Sequence, residues 1–351
     1  MKTPSSRSVS RRSFLGGASA LGVAGLVSGA NLLRSPALHA GNGPVFAGVT
    51  PGDINILKFL AAAELIEDDL WQQYCELAVN NPRFRRTLER IDPSLVRYIC
   101  DDRDDERSHA QLINAFLVAN GEEAVNLDPF RTLPGVNVQG SENRGRLTNL
   151  TALTVDTSWF NKYRSMENPD FGGTFPQLVT LTDRATIPTS DAQGAGDIQL
   201  AAHSAMFHFG SIEQGGGSLY LALQRKVTSL DVLAILTTIG PVEIYHFSVF
   251  HKSLERLFGF SRRGVRFPNL RGMRDLAQAI FPEPCTFLSA SLPKCSVIRP
   301  MNVENAGAVA SATALVASGL FTGQPPAFLD AVVALATAAD AATRGGGTNG
   351  A

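Results

Sequence analysis

Apolar residues recur at helical spacing in two stretches of the first half of the chain. In residues 53–79 the apolar stripe includes Leu57 and Cys75 and follows Asp53, which predicts a helix with an aspartate N-cap. Residues 93–119 show the same period, and an Asn-Gly stop signal follows them. Two amphipathic helices are therefore predicted before residue 121.

The second half of the chain predicts two more helices of similar length. Residues 197–225 place Met206 and Phe209 on one face, and residues 229–258 repeat the pattern. Pro241 lies inside the last of these helices, where its missing N–H group should bend the helix.

The remaining segments lack this long period. Residues 122–196 are rich in Pro, Gly, Asn and Thr, which predicts a long, partly ordered insertion. Beyond residue 260, two Ala/Val-rich stretches predict short helices that lie against a surface and do not span a membrane. The predicted fold is all-α, with an antiparallel four-helix bundle over residues 53–260 and a C-terminal extension over residues 261–351.

The N-terminus has the features of an export signal. SRRSFLGG precedes an apolar, Gly- and Ala-rich run that is too short for a membrane span, which is typical of a twin-arginine signal peptide over residues 1–40. Cleavage is expected after Ala30 or Ala40. The predicted partner is the twin-arginine export machinery, the predicted location is the periplasm or another exported site, and no stable membrane span is expected after the signal is removed.

Charge narrows the list of partners. The signal carries five basic residues and no acidic ones, so its removal lowers the formal net charge from −1 to −6. A nucleic acid or an anionic membrane surface attracts basic proteins. Neither is an expected partner.

An ordered repeat of acidic residues and histidines occurs within the four predicted helices. A helix with one acid precedes a Glu-x-x-His helix, and the same order then recurs in the third and fourth helices. The residues of this repeat are Glu64, then Glu106 and His109, then Glu213, then Glu243 and His246. Residues i and i+3 share a helix face, so each Glu-x-x-His pair could bind one metal ion.

Electrostatics favours metal over four buried unpaired acids. Buried carboxylates are costly unless cations neutralise them, and two divalent ions would supply four positive charges. Oxygen ligands with two imidazoles suit iron or manganese better than zinc. The rest of the acidic run from Asp101 to Glu106 is expected to be largely solvated, and His203, His208 and His251 are expected to be ordinary surface or core residues.

These motifs resemble the ferritin-like superfamily of di-metal carboxylate proteins, and within it exported proteins similar to desiccation-related proteins. The resemblance covers about residues 53–258 and is carried by AELIEDDLW, DDERSHA, IEQGGGSLY and VEIYHFS. It implies a ferritin-like four-helix bundle that binds two iron or manganese ions, and it allows a homo-oligomer.

The ligand from the first helix has two candidates. Many relatives have a Tyr seven residues after each solitary Glu, as Tyr220 follows Glu213, but Trp71 follows Glu64 at that distance. Glu67 with Tyr74 has the expected spacing. Glu64 is preferred because it shares the face of the apolar stripe.

Four cysteines allow two disulfides in an exported protein. Cys285 and Cys295 flank a proline-rich turn and are the favoured pair. Cys75 and Cys100 lie at similar heights on the first two helices, so a second bridge there is an open alternative. The spacings do not match a zinc site.

Three functions fit these features: a redox protein that handles peroxide or oxygen in stress protection, a non-catalytic envelope or desiccation-related protein, and an iron store. Storage ranks last because the long insertion and C-terminal extension would obstruct a closed shell. A substrate channel between the insertion and the helices would favour an enzyme, and the sequence does not reveal one.

Overall fold

A computed structural model describes residues 46–271, 282–298 and 306–345. The expected signal peptide lies outside these ranges. The described part of the chain is mainly helical, with a few short strands. Its eight α-helices are α1 Pro51–Asn80, α2 Pro82–Ile91, α3 Leu95–Ala119, α4 Trp159–Arg164, α5 Ala195–Leu223, α6 Leu230–Leu254, α7 Ala308–Ala317 and α8 Pro326–Asp340.

The first helix begins earlier than the sequence suggested. Thr50 is the N-cap of α1, and its hydroxyl accepts a hydrogen bond from the backbone N–H of Asp53, whose carboxylate in turn accepts from the N–H of Thr50. The prediction of Asp53 as the N-cap was therefore wrong. Its carboxylate has a second role, because it also accepts hydrogen bonds from the backbone N–H groups of Thr228 and Ser229, which precede α6.

Helix α2 is an element that the hydrophobic pattern did not predict. Asn81 caps it by accepting hydrogen bonds from the N–H groups of Arg83 and Phe84. Only Phe84, Leu88 and Ile91 of this helix are buried, so its apolar face is narrow. It fills the space between α1 and α3 at one end of the molecule and also packs on α5.

The four long helices form two antiparallel pairs, α1 with α3 and α5 with α6. The direction of the first pair follows from its ends, since Lys58 near the start of α1 forms an ion pair with Glu122 just beyond α3. In the second pair, His203 early in α5 contacts Phe258 just after α6. Helix α6 remains continuous through Pro241.

The disulfide assignment requires a correction. Cys75 of α1 and Cys100 of α3 form the bridge, with their Cα atoms 5.0 Å apart. The favoured pair, Cys285 and Cys295, is present as two free thiols. Their backbones exchange two hydrogen bonds of 3.0 Å, so the turn between them closes without a covalent bond.

Short strands add to the expected all-α fold, in the insertion and after α6. Strands β1 Leu153–Val155 and β2 Leu181–Arg184 pair antiparallel, and β3 Phe260–Arg262 pairs with β4 Val265–Phe267 after α6. Short 3-10 turns lie at Asp128–Phe130 and Pro169–Phe171. Trp159 of α4 anchors the insertion, because its buried indole donates a hydrogen bond to the carbonyl of Phe207.

The two predicted C-terminal helices are present as α7 and α8. Helix α8 packs on α1, and Phe328 is fully buried against Phe321 and Phe130. These side chains belong to the same hydrophobic core as the long helices.

Among the described residues, α6 is the one helix long and apolar enough to cross a membrane by length and composition. A core helix passes the same test. The observation is therefore weak evidence for a membrane span.

Candidate metal centre

All six residues of the sequence repeat meet in the interior, where the two helix pairs face each other. Their side chains form two groups whose ligand atoms lie within 4.8 Å of one another in each group. Group 1 contains Glu64, Glu106, His109 and Glu243. Group 2 contains Asp102, Glu106, Glu213 and His246. Glu106 belongs to both groups.

In group 1, one imidazole nitrogen faces three carboxylates. Nδ1 of His109 lies 3.2 Å from Oε2 of Glu64, 3.1 Å from Oε2 of Glu106 and 3.5 Å from Oε1 of Glu243. Glu64 is 1% exposed and Glu106 and Glu243 are fully buried. These donors come from α1, α3 and α6, so group 1 joins both helix pairs.

Group 2 repeats this geometry around the second histidine. Nδ1 of His246 lies 3.2 Å from Oδ1 of Asp102, 3.1 Å from Oε1 of Glu106 and 3.3 Å from Oε2 of Glu213. The other ring nitrogen, Nε2, lies 3.1 Å from Oδ2 of Asp105. Asp105 thus orients the ring from the outer side, as carboxylates do for metal-binding histidines.

Asp102 is a site residue that the sequence reasoning missed. It belongs to the acidic run that was expected to be largely solvated, yet it is 2% exposed. A usable signal was present, because Asp102, Glu106 and His109 occupy positions i, i+4 and i+7 of one helix face. Its neighbour Asp101 points outward and forms an ion pair with Arg97 on the surface.

The two candidates on α1 lie differently, although both face the acids of the centre. Burial and the negative charges of Glu106, Glu64 and Glu213 raise the pKa of Glu67 well above its usual value. Glu64 lies in group 1, whereas Glu67 lies in neither group and lines a neighbouring cavity. The hydroxyl of Tyr220 donates a hydrogen bond to Oε1 of Glu64. Tyr74 instead contacts Thr186 and Nδ1 of His208, away from both groups.

The acids of the centre resist ionisation. Burial, assisted by the negative charge of Glu106, raises the pKa of Glu64 from 4.5 to about 8. Burial also raises the pKa of Glu213 to about 7, although His246 beside it favours the ionised form. The pKa values of Asp102 and Glu243 are raised well above the ordinary range, again mainly by burial.

Glu106 behaves in the opposite way because it lies between the two imidazoles. Burial opposes its ionisation, but the hydrogen bonds and charges of His109 and His246 outweigh burial and hold the pKa of Glu106 well below its usual value. Burial likewise disfavours the charged form of His109, yet Glu106 and Glu64 raise the pKa of His109 to about 10. Without metal, the imidazoles of His109 and His246 therefore supply the positive charge that Glu106 faces.

The donors fit two divalent ions. Within the described residues, several buried oxygens here accept no hydrogen bond of good geometry, including both carboxylate oxygens of Asp102, Glu213 and Glu243. Buried oxygens without donors are uncommon and suit a cation. Five carboxylates and two imidazoles make a hard, oxygen-rich set that could hold metal ions.

The remaining predicted histidines lie outside the two groups. His203 contacts Gln199 and the carbonyl of Phe258, and burial lowers the pKa of His203 to about 4. Burial lowers the pKa of His208 to about 3. Both are core residues with partners, as expected from the sequence.

Comparisons of the chain with protein-family models, curated proteins and solved structures return no match.

Proposed function

We propose that the chain is a ferritin-like protein that binds two iron or manganese ions in a four-helix bundle. The single observation that carries this proposal is the pair of buried groups that share Glu106. Group 1 would hold one ion and group 2 the other, with Glu106 offering a different oxygen to each. Two histidines and five carboxylates leave positions for small oxygen-containing molecules.

The proposed activity is redox handling of peroxide or oxygen. When bound to the protein, two such ions would transfer electrons to these small molecules. The chain's own residues hold the ions, exclude bulk water through the apolar core and orient His246 through Asp105. The buried hydroxyl of Tyr220 keeps one oxygen of Glu64 in a fixed direction.

Metal analysis tests the binding part of the proposal. Protein purified from an exporting host, or loaded anaerobically with ferrous or manganous ion, should contain close to two ions per chain by elemental analysis. A metal content near zero after anaerobic loading contradicts the proposal.

A spectroscopic experiment tests the redox part. Hydrogen peroxide should change the optical spectrum of the iron-loaded protein, and Glu213→Ala should abolish the change while circular dichroism stays the same. Asp101→Ala, on the solvent side of α3, is the control that should keep the response. A loaded protein inert to both peroxide and oxygen would instead support a non-catalytic envelope or stress-related role.

We also propose export by the twin-arginine route. The Cys75–Cys100 disulfide supports export, because structural disulfides form and persist in oxidising compartments. Replacing Arg11 and Arg12 by lysine should leave the protein in the cytoplasm, as cell fractionation would detect. Unchanged export of that variant contradicts the route.

A further inference from the structure

A cavity of about 470 Å³ lies beside the candidate metal centre. Its walls come from α1, α5, α7 and the insertion strands β1 and β2. This volume is within the range of about 300–1000 Å³ that small-molecule sites occupy. The cavity is thus a space between the long helices and the two segments that the sequence placed outside them.

The walls are mostly aliphatic. Apolar side chains from α1, α5, α7 and the insertion strands contribute to its lining. The main apolar lining residues are Phe59, Ile66, Leu70, Ile212, Leu219 and Leu315. Such walls favour a ligand with an extended hydrocarbon part, because each buried methylene contributes favourably.

The polar lining limits the head group of such a ligand. No Lys or Arg lies among the described residues that line the cavity, whereas Glu67 and Asp156 do. Asp156 is already occupied, since its Oδ1 accepts hydrogen bonds from the N–H of Ser158 and from Gln177. A carboxylate or phosphate head would find no cation here, because burial lowers the pKa of the lining residue His208 to about 3 and keeps its imidazole uncharged. An ammonium head would lose more hydration than one buried carboxylate returns, so an uncharged hydroxyl or carbonyl is favoured.

A residue without a side chain, Gly216, lies between this cavity and group 1. Gly216 lines the cavity, and a Cβ placed on it would lie 2.4 Å from Oε2 of Glu243. The neighbouring Gly215 also lines the cavity, and its Cβ position meets no atom within 4 Å. At Gly216, helix α5 therefore places only its backbone between the cavity and Glu243. A side chain at position 215 would enter free space.

We propose that this cavity binds an uncharged aliphatic molecule with a hydroxyl or carbonyl end, next to the Glu243 side of the centre. The proposed binding rests only on the volume and the lining of the cavity. Whether the centre acts on the bound molecule rests on the proposed function.

Calorimetric titration with 1-hexanol, 1-octanol and 1-decanol tests the proposal on metal-free and metal-loaded full-length protein. We expect saturable binding of one molecule per chain, about fourfold tighter for each added methylene, as about 0.8 kcal/mol per buried methylene requires. Decanoate and decylamine should bind at least tenfold more weakly than 1-decanol. Tighter binding of either ion overturns the head-group assignment, and no saturable binding of any alcohol overturns the site.

Two neighbouring glycines provide matched variants. Gly215→Leu places its side chain in the cavity and should reduce 1-decanol affinity at least tenfold while metal content stays at two. Gly217→Ala faces Ile244 of α6 and should leave 1-decanol binding unchanged.

Undiminished binding by a folded Gly215→Leu protein contradicts the location. If that variant does not fold, the chain-length series on the unaltered protein still decides. In the unaltered protein, absence of alcohol binding with two metals bound would count against this site alone, and absence of metals with alcohol binding present would count against the proposed function alone.

Discussion

The two antiparallel helix pairs contribute to the centre in different ways. The α1–α3 pair is joined by the Cys75–Cys100 disulfide and by polar contacts such as the ion pair of Arg107 with Asp68. The α5–α6 pair has no disulfide in the described ranges, and its contact near the centre depends on close approach at Gly216. The α1–α3 pair is held by a disulfide and polar contacts, whereas the α5–α6 pair is held by apolar packing around small residues.

This difference indicates how the fold accommodates both a charged centre and a cavity. The cross-linked pair supplies Asp102, Glu106 and His109 from one helix, so most candidate ligands of this pair are held together on α3. The packed pair supplies Glu213, Glu243 and His246, and its glycines leave room for the cavity. Four variants or conditions test this contrast.

The largest effect is expected for Glu106→Ala, which removes the carboxylate that both groups share. Metal content should fall from about two ions per chain to near zero, because each ion loses a ligand and each histidine loses its counter-charge. Elemental analysis measures this change, and Asp101→Ala on the same helix is the matched control. Retention of two tightly bound ions would contradict a shared role for Glu106.

A smaller effect is expected for Asp102→Asn, which affects group 2 alone. The amide keeps the shape and loses the charge, so metal content should fall toward one ion per chain. Glu64→Gln should do the same through group 1. Competition with a chelator would show whether one ion becomes easier to remove, and equal retention of both would exclude Asp102 as a ligand.

Loss of the disulfide should destabilise the cross-linked pair without removing the metals. The double variant Cys75→Ser, Cys100→Ser removes the disulfide, whose two cysteines are 25 residues apart in the sequence. This loss should lower the free energy of unfolding by about 3 kcal/mol. Denaturant titration measures the cost. The control Cys295→Ser removes an exposed free thiol and should change the stability little.

The smallest effect concerns pH. In metal-free protein, the native state keeps protons on Glu64 and Glu213, whose pKa values of about 8 and 7 exceed 4.5 in an unfolded chain. Their stabilising contribution is complete below about pH 4.5 and is lost as pH rises through 7 and 8. The pKa of His109 is about 10 in the native state and 6.5 in an unfolded chain. Its stabilising contribution is therefore also lost as the pH rises from 6.5 to 10.

The melting temperature of chelated protein should therefore decrease from pH 5.5 to 9. Metal-loaded protein should show a smaller decrease or an increase, because deprotonated ligands bind metal more tightly at higher pH. Thermal unfolding at a series of pH values measures both curves. Parallel curves would indicate that metal does not bind at these acids.

Much of the centre could be predicted because helical spacing fixes which residues share a face. The Glu-x-x-His pairs needed only the period of the helix, and all six predicted residues meet in the interior. Asp102 was missed because a run of acids on one helix contains both buried and exposed positions. The spacing of Asp102 with Glu106 and His109 places it on their helix face, and Asp101 lies off that face.

The disulfide pairing and the elements inside the predicted insertion could not be predicted for a related reason. Cys285 and Cys295 are close in sequence and paired through their backbones, but sequence proximity does not determine how their side chains are oriented. The order of residues 122–196 depends on contacts with distant segments, such as Trp159 with Phe207 and Leu320 with Asn149. Such contacts leave no periodic signal.

Glu106 would also couple the two proposed ions to each other. Its Oε2 lies on the His109 side and its Oε1 on the His246 side, so an ion held by one group would keep the carboxylate in the orientation that an ion in the other group would use. Binding should therefore be positively cooperative. At half the saturating amount of metal, native mass spectrometry should find mainly molecules with two ions and molecules with none.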